Sequence, residues 1–238
     1  DNKSTMLLKK YEGDLFKKEL TLAKQVIERN YYILPEKIDK DSRAIELKVR
    51  YSLYDFIKSL LELHGNGIVH RDIKPENLFY DKEGNIVLGD FGLAQICEEK
   101  ENTIDNPRDT SFFRGTDGYH SPEFTFIRLK KSGEKPTINY QAEDLWALGI
   151  SLLEILSREK YSDPEEIKKI ENEYKWKDLP KDHEKFKTKF KDILSKHLEE
   201  KIKKLPCGEP VKNIVRNLLA MDPKERIENT KKAVESKA

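Results

Sequence analysis

The stretch His70-Arg71-Asp72-Ile73-Lys74-Pro75-Glu76-Asn77 puts a carboxylate, an ammonium and an amide at positions 72, 74 and 77. Moving the γ-phosphoryl group of ATP to a hydroxyl needs these three types. A carboxylate orients the hydroxyl and takes its proton, a cation offsets charge on the phosphate, and an amide oxygen holds a metal ion. Asp72, Lys74 and Asn77 are the candidates in that order. Thirteen residues past Asn77 comes Asp90-Phe91-Gly92. A carboxylate at Asp90 can bind the Mg2+ that bridges the phosphates, and Gly92 permits a sharp turn behind it.

These side chains need a frame. Val49, Leu53, Phe56, Ile57, Leu60 and Leu61 recur at helical spacing, which predicts an amphipathic helix ending near His64-Gly65. Leu78-Phe79-Tyr80 and Ile86-Val87-Leu88 flank a polar stretch with Gly84, the pattern of a hairpin. That hairpin would separate the 70–77 loop from Asp90. The segment from Leu145 to Leu156 is apolar nearly all round and must be buried on most sides. From Pro164 to Leu205 the chain reads as helix dense in lysine and glutamate, with Trp176, Phe186, Phe190 and Ile193 supplying an inner face. Val211, Ile214, Val215, Leu218 and Leu219 form what reads as the last core helix, before Asp222-Pro223. Residues 98–114 have no apolar period and read as a loop, and the chain after Thr230 reads as a polar tail. Met6-Leu7-Leu8 followed by Asp14-Leu15-Phe16 suggests a strand leading into a helix.

Both chemical motifs, in order and joined by strand-turn-strand, resemble the eukaryotic-type serine/threonine protein kinases. Further residues extend the resemblance. Gly115-Thr116-Asp117-Gly118-Tyr119-His120-Ser121-Pro122-Glu123 looks like the end of a kinase activation segment, with Ser-Pro-Glu in place of the usual Ala-Pro-Glu. The family's partner for that glutamate matches Arg226. Asp144 stands where kinases place an aspartate that holds the catalytic loop's backbone, and His70 is expected to pack under Phe91. Lys74 with Thr116 matches the serine/threonine type. The resemblance also implies that Arg71 can read a phosphate on the activation loop, where Thr103, Thr110 and Ser111 are the candidate hydroxyls.

Leu7 to Leu15 is similar to a kinase hinge. On that match Leu8 is the gatekeeper, backbone groups of Lys9 and Tyr11 meet adenine, and Phe79 forms the floor beneath the base. The implied fold is mainly α (α+β), the large C-terminal lobe of a kinase with one small β-hairpin and no N-terminal β lobe. Residues 1–13 would be the end of an N-lobe strand and the hinge, 14–230 the C-lobe with catalytic loop 70–77 and activation segment 90–123, and 231–238 a tail. The glycine-rich turn, strand lysine and helix glutamate of a whole kinase are missing. Ala44-Ile45-Glu46-Leu47-Lys48 only mimics the lysine strand, because the amphipathic helix fills the space between Lys48 and His70. The stretch 21–43 departs from the family pattern and is given no role.

Three readings of the missing lobe stay open. It can belong to the same protein outside this sequence, be lost in a C-lobe that serves as a non-catalytic binding or scaffolding module, or be supplied in trans by another chain or replaced by an unusual route of phosphate transfer. The aminoglycoside-phosphotransferase type uses a similar aspartate-asparagine-aspartate set but lacks the Ser-Pro-Glu segment. The implied ligands are ATP, Mg2+ and a protein substrate.

Composition sets outer bounds. Lysine and arginine (45) nearly cancel aspartate and glutamate (44) over 238 residues, which argues against a dedicated nucleic-acid binder. No apolar run approaches the roughly 18 residues of a membrane span, and Asp1 in place of methionine suggests a fragment. Cys97 and Cys207 fit no zinc spacing and are expected to be reduced thiols. A soluble, cytoplasmic domain is the expectation.

Overall fold

The computed structural model describes residues 42–80, 86–96, 115–129, 138–176 and 183–236. Helix α1 (Ser42–Gly65) is followed by strand β1 (Ile68–Val69), a 3-10 helix at Pro75–Asn77, β2 (Leu78–Tyr80), β3 (Ile86–Leu88), a second 3-10 helix at Phe91–Leu93 and β4 (Gln95–Ile96). Six further helices complete it: α2 (Pro122–Leu129), α3 (Tyr140–Ser157), α4 (Glu165–Trp176), α5 (His183–Lys203), α6 (Glu209–Leu218) and α7 (Pro223–Glu235). A mostly helical body with short antiparallel strands is what a kinase large lobe requires. The residues assigned to the hinge (Leu8, Lys9, Tyr11), the 14–16 segment, the stretch 21–41, the loop 98–114 and Cys97 lie outside the described residues.

Helix α1 buries Leu53, Phe56, Ile57 and Leu60 on one stripe. Each such side chain gains about 1.5–3 kcal/mol on burial, well above the tenths that intrinsic propensity contributes, so packing decides the helix. It stops at Gly65, where Asn66 closes the last turn by donating both its backbone N–H (3.1 Å) and its side-chain amide (2.7 Å) to the Glu62 carbonyl. Gly67 then takes a left-handed φ of 72°.

The four strands are nested. β2 pairs antiparallel with β3, Leu78 opposite Leu88, and β1 pairs antiparallel with β4, Val69 opposite Gln95. One consequence is that the 70–77 loop, between β1 and β2, and the 89–94 turn, between β3 and β4, come from the same end of the two ladders.

Helix α3 is the centre of the molecule. Asn139 caps it by accepting from the Ala142 N–H at 3.1 Å, and nearly every residue from Tyr140 to Leu153 is buried. Gly149 lets α6 come close: a Cβ there would stand 2.7 Å from the Leu219 side chain. The main core joins α3 to α1, α5 and α6 through Leu145, Leu148, Leu60, Phe190, Val215 and Leu218.

The 164–205 region is helical as expected, in two helices, α4 and α5; Phe186 and Phe190 are buried and Ile193 packs at the core's edge, while the Trp176 side chain is outside the described residues. One expectation needs correction. The helix at 211–219 is not the last, and position 230 is not where a tail starts. Asp222 caps α7 by accepting from Lys224 N–H (2.8 Å) and Glu225 N–H (3.0 Å), and the helix runs to Glu235. Its fully buried residues are Arg226 and Thr230, and its apolar signal is thin: Ile227 and Val234, seven residues apart, pack at the edge of the core.

Candidate active site

The catalytic loop is held from below by one carboxylate. Asp144 Oδ2 accepts from His70 N–H and Oδ1 from Arg71 N–H, both at 2.8 Å, and the His64 ring meets Oδ2 at 2.9 Å. Such charge-assisted bonds are the stronger kind, and Asp144 is 1% exposed, so little water competes. They fix Arg71 in a left-handed conformation, φ 69°, that a non-glycine residue seldom adopts without outside support. The Arg71 guanidinium lies 5.0 Å over the Tyr140 ring and donates to Gln95 on β4.

Beyond that bend the reactive side chains converge. Lys74 Nζ stands 2.9 Å from Asp72 Oδ2 and donates to Thr116 Oγ1 at 3.0 Å. Thr116 Oγ1 in turn donates to Asp72 Oδ1 at 2.7 Å. Asn77 Nδ2 donates to the Asp72 carbonyl (2.8 Å) and to Asp72 Oδ2 (3.2 Å). Burial favours the neutral acid at Asp72, but the bonds from Lys74, Thr116 and Asn77 outweigh it and hold the carboxyl below the usual range.

Asp90 belongs to the same end of the nested strands. The Gly89 N–H donates to the Asn77 carbonyl at 3.0 Å, tying the two candidate metal-binding residues together through backbone. Asp90 has a left-handed φ of 57°, and its Oδ1 accepts from Gly92 N–H at 3.2 Å. His70 packs edge-on against Phe91 (centroids 4.9 Å apart) and its Nε2–H donates to the Gly89 carbonyl at 3.0 Å. Burial lowers its pKa, so it is a neutral spacer between the two loops. Phe79 is half-buried, and its ring covers Gly89 so closely that a Cβ there would lie 2.5 Å from it.

The donor set suits magnesium. With Nδ2 engaged by Asp72, Asn77 offers Oδ1, and Asp90 offers Oδ2, both hard oxygens of the kind Mg2+ takes alongside retained waters.

The end of the activation segment is braced twice. Arg226, 0% exposed, donates from Nη1 to Glu123 Oε1 (2.6 Å) and from Nη2 to Oε2 (3.2 Å). The same guanidinium reaches the carbonyls of Ala142 and Ala220, each at 3.0 Å, and lies 4.9 Å from the Trp146 ring. The second brace has no counterpart in the sequence reading. Glu143 accepts from the Ser121 N–H at 3.2 Å on each oxygen and meets His120 Nδ1 at 3.1 Å. Burial pushes its carboxyl up, and the His120 contact pulls the other way. Thr116, noted only as a type marker, proves to touch both Asp72 and Lys74. A second carboxylate beside Asp144 in the first turn of a mostly apolar helix was the one visible sign of Glu143.

At the start of α3 consecutive residues thus face different segments. Gln141 donates to the His64 carbonyl at 2.8 Å, the Ala142 carbonyl takes Arg226, Glu143 takes Ser121, and Asp144 takes the catalytic loop.

A protein kinase domain model matches residues 10–237. The chain belongs to the protein kinase family. Its relatives include a serine/threonine-protein kinase Sgk2 of Rattus norvegicus, 35% identical over 119 residues, covering 50% of this chain and 28% of that protein. Ribosomal protein S6 kinase alpha-4 of Homo sapiens is 41% identical over 114 residues (47% and 13%), and serine/threonine-protein kinase PKH3 of Eremothecium gossypii 33% over 111 residues (47% and 14%). This kinase chain therefore spans less than a third of the length of the relatives it matches. Among the described residues no helix is long and apolar enough to cross a membrane.

Proposed function

We propose that this chain is the large-lobe part of a cytoplasmic protein serine/threonine kinase that moves the γ-phosphoryl group of ATP to a hydroxyl on a protein substrate. The observation that carries this reading is the contact set on Asp72, whose two oxygens meet Lys74, Thr116 and Asn77. Asp72 orients the attacking hydroxyl and accepts its proton as the new oxygen–phosphorus bond forms and the bond from the γ-phosphorus to the bridging oxygen breaks, releasing ADP. Lys74, beside it, offsets negative charge on the phosphoryl oxygens. Asn77 Oδ1 and Asp90 are the oxygens that would hold Mg2+, which when bound neutralises the phosphates. Backbone groups of Lys9 and Tyr11, with Leu8 and Phe79, take the adenine, and the N-lobe that covers it comes from the same protein or from another chain. Positioning and electrostatics supply most of the rate in this chemistry, so side chains already held in contact are what it asks of a protein.

The test is phosphoryl transfer by the intact protein with magnesium, ATP and a protein substrate. Asp90→Asn should fold normally and lose more than about nine-tenths of the activity. Retention of more than that remaining tenth overturns the assignment, and an inactive parent that still binds partners moves the reading to a scaffold.

A further inference from the structure

We propose that Glu143, with His120, is a positioning residue that sets Thr116 against Asp72. The inference rests on the kinase reading for its catalytic consequence, but not for its geometry.

Glu143 and Asp144 are neighbours on α3, and a helix turns about 100° between neighbours, so their side chains leave in different directions. Asp144 fixes the catalytic loop through two N–H groups. Glu143 does the same for the facing segment, taking the Ser121 N–H on both oxygens. Thr116 belongs to the second segment and Asp72 to the first, so the 2.7 Å contact between them is set by two adjacent carboxylates on one rigid element.

His120 carries the constraint from Ser121 back to Thr116. Its ring is stacked on Phe124, centroids 4.0 Å apart and planes 6° from parallel, while Nδ1 is held by Glu143. The neighbouring Cε1 edge of the ring meets the backbone just before Thr116. At Gly115 φ is +126°, and a Cβ would stand 2.9 Å from His120 Cε1 and 3.1 Å from the Arg71 carbonyl. Gly115 is thus wedged between the His120 ring and the catalytic loop, and only a residue without a side chain fits. Ring, glycine and threonine move together. The Glu143 side chain is 8% exposed and that of His120 13%, so water cannot readily replace either contact.

Two measurements on the intact protein test this. Hydrogen exchange should show the 115–121 amides of Glu143→Leu exchanging at least about tenfold faster, with the 70–77 amides unchanged because Asp144 still holds them. Glu143→Gln keeps an acceptor for the Ser121 N–H and should restore most of the protection; it also carries the test should Glu143→Leu not fold. Loosening of both segments together, or of neither, overturns the proposal and leaves Glu143 a general packing residue. For transfer, Glu143→Leu should lower kcat about tenfold with KM for ATP unchanged, and adding it to Thr116→Ala should cost little more than Thr116→Ala alone. Additive losses would mean that Glu143 does not act through Thr116. An inactive parent would count against the kinase reading, while the exchange result would still decide the positioning role.

Discussion

A base that takes a proton from an alcohol would ordinarily benefit from high proton affinity, yet Asp72 is held below the usual carboxylate range. The two facts agree if Asp72 mainly orients the hydroxyl and receives its proton late, once the oxygen has begun to bond to phosphorus and its acidity has risen. The same depression has a sign for stability. Because the folded carboxyl is more acidic than its unfolded value of 3.8, Asp72 contributes stability above that pH and loses it as pH falls through the folded value. Chemical unfolding of parent and Asp72→Asn between about pH 3 and pH 6 should show the gap between them narrowing toward acid. A constant gap would mean that Lys74, Thr116 and Asn77 do not favour the ionised form. At this scale the sequence was most legible, since Asp72, Lys74, Asn77 and Asp90 sit on two short loops whose local spacing fixes their company. Thr116 and Glu143 were harder to place, because their partners lie 44 and 22 residues away.

Elements with an apolar stripe were readable; α7 was not. Its fully buried residues are an arginine and a threonine, Ile227 and Val234 only flank the core, and its start is marked by Asp222 as cap and Pro223 behind it. What holds α7 down is the Glu123–Arg226 pair, whose guanidinium also reaches two carbonyls and an indole face. Removing one partner of a fully buried pair typically costs about 3–5 kcal/mol, and the loss here belongs at the lower end, because Glu123, left behind without its partner, is 21% exposed and partly solvated. Arg226→Ala should therefore lower the melting temperature by several degrees at least, with α7 and the start of α2 losing order first. A variant melting within about a degree of the parent would show the brace to be dispensable. The boundary between α4 and α5 did carry a mark, Pro180 in the stretch between them, since proline ends or kinks a helix while the lysines and acidic residues on either side do not.

For the whole molecule, the family places ATP between two lobes, and this chain offers one face of that cleft. On the proposed reading the hinge positions and Phe79 contact the base from this side, and the lid and the phosphate-gripping lysine would have to be supplied by another part of the protein or by another chain. Titration calorimetry of the 238 residues alone should accordingly show weak Mg-ATP binding or none, and a version extended upstream should gain it. Tight binding or turnover by these residues alone would refute that division of labour. Equal failure of both would favour a protein that uses the kinase shape to hold partners.

The opening turn of α3 also governs which changes of length the chain can accept. The side chains of Gln141, Glu143 and Asp144 each hold a different stretch of backbone, at His64, at Ser121 and at His70–Arg71, so a substitution at one of them leaves the other two in place. One inserted residue is another matter: it shifts everything after it by about 100° and about 1.5 Å along the axis. Gln141 would keep its place while Glu143 and Asp144 were carried round to face the wrong segments, although no side chain had been removed.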